Sequence, residues 1–143
     1  MHIGKKDVSV PAASPVRGHP LVQAYVPAGF PSPADDYVER KLDLNEYLVL
    51  HPAATFFVRV SGDSMIGAGI HSGDLLVVDR SLEPRNNSVV IAGVDGDLAV
   101  KRMRRRGGTI HLVSDNSDYS PIEVGEETAL EIWGVVTAVI HRL

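Results

Sequence analysis

The chain has 143 residues and a mass of 15.4 kDa, the size of one compact domain. Hydrophobic residues supply 44% of it and charged residues 22%, enough for an ordinary buried core; the absence of cysteine excludes a disulfide scaffold, a thiol nucleophile and a cysteine-ligated metal. A net charge of −4 argues against a domain that is basic throughout and binds nucleic acid with its whole surface, and no apolar run approaches the roughly 18–20 residues that span a membrane.

Charge and proline are unevenly spread. Residues 1–34 hold six of the nine prolines and a net charge of +2, which leaves −6 on the remaining 109 residues. Proline fixes φ and lacks a backbone donor, so this stretch cannot form a continuous helix or a central strand. The expected organisation is an extended arm over residues 1–34 and a folded body over 35–143. Lys5 and Lys6 precede no apolar stretch, so no secretory signal is expected and the expected location is the cytoplasm.

One short helix is expected near residues 43–49. Asp43 can cap it, and Glu46 stands three residues on, as in a capping box. The rest of the body reads as strand. Thr55 to Val60 is β-branched and aromatic; Asp74 to Asp79 and Ser88 to Val94 are apolar on both faces, as buried strands are. Asp95-Gly96 then joins Val94 to a strand beginning at Asp97, a hairpin pattern because both turn residues need φ > 0. Gly107-Gly108 makes a second hairpin into Thr109–Val113, and Leu130–Ile140 is a long β-rich run around Trp133. The fold class expected is mainly β, with antiparallel sheets and one short helix.

Few side chains here carry obvious chemistry. The six histidines, His2, His19, His51, His71, His111 and His141, show no zinc-site spacing, so no metal site is expected. The basic run Lys101 to Arg106 has no interleaved aromatic and reads as a solvated edge strand. Ser64 is different. It follows a strand and Gly62, and it precedes Gly67 and Gly69. A serine at such a junction exposes its hydroxyl, and neighbouring backbone N–H groups can converge as an oxyanion hole does; a serine that merely caps a turn has the same spacing.

Lys101 adds a possible base. Side chains alternate along a strand, so Lys101 shares a face with Ala99 and Met103. A lysine against apolar surface loses hydration of its ammonium form, and its pKa falls from about 10.4. A neutral amine can take the proton of a serine hydroxyl. Ser64 and Lys101 stand 37 residues apart, and spacing alone does not bring them together.

The ordered set Ser61-Gly-Asp-Ser-Met65, Gly69-Ile70, Gly73 to Asp79, Val100-Lys-Arg102, Asn116 to Ile122 and Trp133-Gly-Val-Val136 resembles the LexA/UmuD family of self-cleaving serine proteases. The likeness runs over residues 28–143, and Ala28 to Ala34, Asp43-Leu-Asn45 and His51-Pro52 resemble its short, UmuD-like branch. This resemblance implies a LexA/signal-peptidase-like body of several curled antiparallel sheets. It implies Ser64 as nucleophile, Lys101 as general base, the backbone N–H groups of Asp63 and Ser64 as oxyanion hole, and cleavage between Ala28 and Gly29. It implies no cofactor and no metal. The implied activity is RecA-stimulated self-cleavage on single-stranded DNA in the SOS response, after which the processed homodimer serves a UmuC-like translesion polymerase. No direct sequence-specific DNA binding and no membrane contact are implied. The competing readings are a non-cleaving polymerase-docking module, a fragment of a LexA-type repressor, and a signal-peptidase-like hydrolase acting in trans.

Overall fold

The computed structural model describes residues 17–31, 33, 39–124 and 129–143. The first sixteen residues of the expected arm and the expected boundary at residues 34–35 lie outside the described residues. The chain divides into two units, Met1–Tyr47 and Leu48–Leu143.

In the first unit, strand β1 (His19–Val22) pairs antiparallel with β2 (Glu39–Leu42), from His19 opposite Leu42 to Val22 opposite Glu39. A strand within a proline-rich stretch is possible here because a two-stranded ribbon consists only of edges, and Pro20 forgoes one donor without breaking a ladder on both sides. Helix α1 (Leu44–Leu48) follows. Asp43 caps it as expected, its carboxylate accepting the Asn45 N–H at 2.9 Å.

The second unit is one seven-stranded antiparallel sheet. Its strands are β3 (Thr55–Arg59), β4 (Leu75–Asp79), β5 (Val89–Val94), β6 (Asp97–Arg106), β7 (Thr109–Val113), β8 (Ile122–Val124) and β9 (Leu130–Ile140). They lie in the order β3-β4-β9-β5-β6-β7-β8. The two expected hairpins form. Asp95 (φ 49°) and Gly96 (φ 91°) turn β5 into β6, and Gly107 (φ 53°) and Gly108 (φ 82°) turn β6 into β7.

Alternation along the central strands explains their unbroken apolar character. On β5, Ile91 and Val89 pack with Met65, Ile70, Leu76 and Val78, while Val90 and Ala92 pack with Met103 and Leu112. Both faces of the strand are therefore covered, and each fully buried aliphatic side chain contributes about 1.5–3 kcal/mol. Strand β9 shifts register against β4 at Val77/Val78 and against β5 at Ile91/Ala92. Such bulges bend a long strand and increase its twist.

The basic strand departs from expectation. β6 is an interior strand between β5 and β7, not an edge. The glycine turn returns the chain as a further strand, so the arginines must be accommodated within the sheet. Arg102 does so by pairing with Asp115, at 2.9 Å from Nε and 2.6 Å from the terminal nitrogen, while its other nitrogen donates to the Asn87 carbonyl at 2.7 Å. No helix among the described residues is long and apolar enough to cross a membrane.

Candidate active site

The Ser64 segment leaves β3 and folds into a tight turn, followed by a short 3-10 turn at Ile66–Ala68. Met65 anchors it. Its side chain is 2% exposed within the core, which leaves the preceding serine half-buried at the surface. The Ile66 N–H closes the turn onto the Asp63 carbonyl at 3.3 Å. Among the described residues, the backbone N–H groups of Asp63 and Ser64 donate to no other group. That leaves them available to an incoming oxyanion.

Lys101 lies in mid-β6, opposite Val90, on the face that carries the buried Met103. Burial disfavours the ammonium form and pulls the lysine pKa below its ordinary value. Its Nζ donates to the Ser114 hydroxyl at 2.6 Å. Ser114, 7% exposed, stands one register step beyond the Arg102–Val113 pair, so lysine and serine are cross-strand neighbours. No hydrogen bond joins Lys101 to Ser64 in this conformation.

The two residues meet instead through a common partner, the segment 114–119. The Asp115 N–H points to the Met65 sulfur at 3.4 Å, and the Asp115 carbonyl accepts the Gly67 N–H at 2.7 Å. The Asn116 side-chain amide donates to the Asp63 carbonyl at 3.0 Å. The Tyr119 hydroxyl donates to the Asp63 carboxylate at 2.6 Å, and Lys101 Nζ lies 5.7 Å from the centre of the Tyr119 ring. That hydrogen bond and the negative charge of Asp63 raise the Tyr119 pKa, so the phenol stays neutral beside the lysine. One short segment thus holds both the serine turn and the amine.

A largely apolar groove of about 450 Å³ is lined by Phe57, Val58, Arg59, Ser61, Leu98 and Trp133, and neither Ser64 nor Lys101 is in its lining. Phe57, Leu98 and Trp133 are substantially exposed along it. In the first unit, Ala28 and Gly29 stand exposed in a bend.

Sequence reasoning missed three partners. Ser114 could have been found by extending the Gly107-Gly108 hairpin register one pair past Val113. Asn116 and Tyr119 lay within a matched motif, but nothing local assigned them a role. A further surprise concerns the histidines. His141 and His71 converge on the buried Asp74, and His51 lies 2.6 Å from the buried Asp79. The His51–Asp79 and His141–Asp74 meetings join residues far apart along the chain, which spacing does not show.

The chain has counterparts among known proteins. Residues 20–137 match the Peptidase S24-like family. The chain belongs to that family, in keeping with the mainly β fold and with the resemblance carried by its motifs. It is 50% identical over 133 residues to SamA of Salmonella typhimurium strain LT2, covering 92% of each chain. It is 48% identical over 124 residues to ImpA of Escherichia coli, covering 86% of this chain and 83% of ImpA. It is also 44% identical over 126 residues to MucA of Escherichia coli, covering 87% of this chain and 86% of MucA.

Proposed function

We propose that this protein is a UmuD-like serine endopeptidase of the SOS response that cuts itself between Ala28 and Gly29. The observation that carries the reading is the shared anchoring of a partly desolvated Lys101 and the Ser64 turn on residues 114–119. Membership of a serine-peptidase family supports it.

The chemistry follows from those groups. Neutral Lys101 takes the Ser64 proton as Oγ attacks the Ala28 carbonyl carbon. The N–H groups of Asp63 and Ser64 stabilise the oxyanion. Collapse of the intermediate breaks the Ala28–Gly29 bond, and the lysine proton passes to the Gly29 nitrogen. A water molecule, deprotonated by the same amine, then hydrolyses the acyl-serine and frees residues 1–28. The exposed apolar groove suits an extended segment entering as an added strand. Pro27 and Pro31 stiffen that segment and reduce the entropy lost on docking.

Cleavage must stay slow until triggered. The Lys101–Ser114 hydrogen bond is one brake, because the amine must turn from Ser114 to Ser64 before it can act. An undocked arm is the other. Each tenfold of restraint needs only about 1.4 kcal/mol. In this reading a RecA filament on single-stranded DNA favours the docked form, and the processed homodimer then joins a UmuC-like translesion polymerase in the cytoplasm.

The test is cleavage of the purified chain with RecA, ATP and single-stranded DNA, followed by mass spectrometry. The expected product begins at Gly29, and Ser64→Ala and Lys101→Ala each remain whole while folding normally. Fragmentation of Ser64→Ala at the wild-type rate overturns the nucleophile assignment. A wild-type chain that stays whole under these conditions leaves a non-cleaving docking module as the better reading.

A further inference from the structure

Strands β4 and β9 end together at a corner of the sheet, where Leu75 pairs with Ile140. The next residue outward on each strand is Asp74 and His141, so the register sets them side by side. Asp74 Oδ1 lies 2.5 Å from His141 Nδ1. His71, three residues before Asp74, curls back over the same carboxylate. Its backbone N–H donates to Asp74 Oδ2 at 2.8 Å, and its Nδ1 lies 3.8 Å from that oxygen. The two imidazole rings stand 5.0 Å apart at 43°. Asp74 is 3% exposed, whereas His71 and His141 are about half exposed.

We propose that His71, Asp74 and His141 form a binding site for a zinc ion. The three donor atoms already lie within 4.8 Å of one another. Zinc holds nitrogen and oxygen ligands at about 2.0–2.2 Å, which sets neighbouring tetrahedral donors about 3.4 Å apart. The His141–Asp74 pair, now 2.5 Å apart, must open to that spacing while the His71 ring turns inward, movements available to two half-exposed rings, and the ion takes the place of the hydrogen bond between Asp74 and His141. Two imidazoles with one carboxylate suit zinc, whereas calcium and magnesium demand mostly oxygen. The open side leaves the fourth position to water.

One orienting contact on the carboxylate ligand is in place. The His71 N–H fixes one carboxylate oxygen and frees the other to ligate. The backbone behind Asp74 is pinned as well. The Val60 N–H donates to the Asp74 carbonyl at 2.9 Å, and the Asp74 N–H donates to the His71 carbonyl at 3.0 Å. A bound ion would tie the loop from Ser61 to Gly73 to the end of β9. That loop is continuous with the Ser64 turn through the bond from the Ile70 N–H to the Met65 carbonyl. The ion would therefore brace the nucleophile loop at its far end. The proposal does not depend on the roles assigned to Ser64 and Lys101.

The test uses the untagged full chain, stripped with EDTA, dialysed and titrated with cobalt(II) and then zinc. One equivalent of cobalt should give visible d–d absorption, and zinc should displace it. Zinc should also raise the melting temperature. His71→Ala and His141→Ala should each weaken zinc binding at least tenfold and abolish the thermal shift, while His51→Ala should change neither. His71→Ala removes a half-exposed side chain, so its fold should persist, as circular dichroism can verify. Failure of the wild-type chain to take up zinc, or uptake that survives both substitutions, overturns the proposal and leaves the cluster a hydrogen-bonded clasp.

Discussion

Gly67 joins the serine turn to the segment that holds Lys101, and replacing it with alanine tests how tightly the two are coupled. A Cβ built at residue 67 would lie 2.5 Å from the Asp115 carbonyl oxygen, a backbone atom that cannot swing aside. Ordinary contact begins at 3.4 Å, so the two backbones must part by about 0.9 Å. That shift would stretch or break the bond from the Gly67 N–H to the Asp115 carbonyl, now 2.7 Å. Overpacking of this kind costs about 1–3 kcal/mol. At this chain length each kcal/mol lowers the melting temperature by roughly 2–4 °C. The effect on self-cleavage should be larger, because misplacing a reacting group by about 1 Å can cost 100-fold in rate. Gly67→Ala should therefore remain folded, melt several degrees lower and cleave tens to hundreds of times more slowly. Calorimetry and a timed cleavage assay measure the two effects. Cleavage at the wild-type rate in a variant that melts normally would refute the coupling through Asp115.

Two further outcomes follow from titrating groups. Burial lowers the Lys101 pKa, so the neutral amine is more abundant at a given alkaline pH than for a lysine in water. RecA-independent self-cleavage should rise with pH and level off below the ordinary lysine value of about 10.4. A rate that is flat across roughly pH 7–10 counts against Lys101 as base. Asp79 accepts the Ser81 hydroxyl at 2.6 Å and lies 2.6 Å from His51 Nδ1, which together hold its pKa below the ordinary carboxylate value. Its contribution to stability is present above the unfolded pKa near 3.9 and is lost as pH falls through the folded value. Asp79→Asn should thus melt lower than wild type at neutral pH, and the gap should narrow in acid. A gap unchanged between neutral and strongly acidic solution would assign the loss to something other than charge.

Much of the fold is local and was legible in the sequence. The two glycine-containing turns need positive φ, and that requirement sets the β5–β6 and β6–β7 hairpins and their register. The doubly apolar runs of β4 and β5 foretold strands covered on both faces. The Asp43 cap placed the short helix. The basic strand misled because charge reports solvent contact for a single strand, whereas its place in the sheet depends on what the chain does next. Pairing of the proline-rich stretch with β2 was equally hidden, since it joins segments about 20 residues apart through backbone bonds that leave little side-chain trace.

The amino-acid order by itself determined the strands, the hairpin turns and a serine and a lysine of suitable type, because each depends on backbone preference and side-chain alternation over a few residues. Only the tertiary structure decided their surroundings. It set Ser114 and Tyr119 beside Lys101, tied Asp63 to Asn116, and gathered His71 and His141 on Asp74. Most of these contacts close loops of tens of residues, and the packing of β4 against β9 or of β6 against β7 supplies the free energy that offsets the entropy of closure.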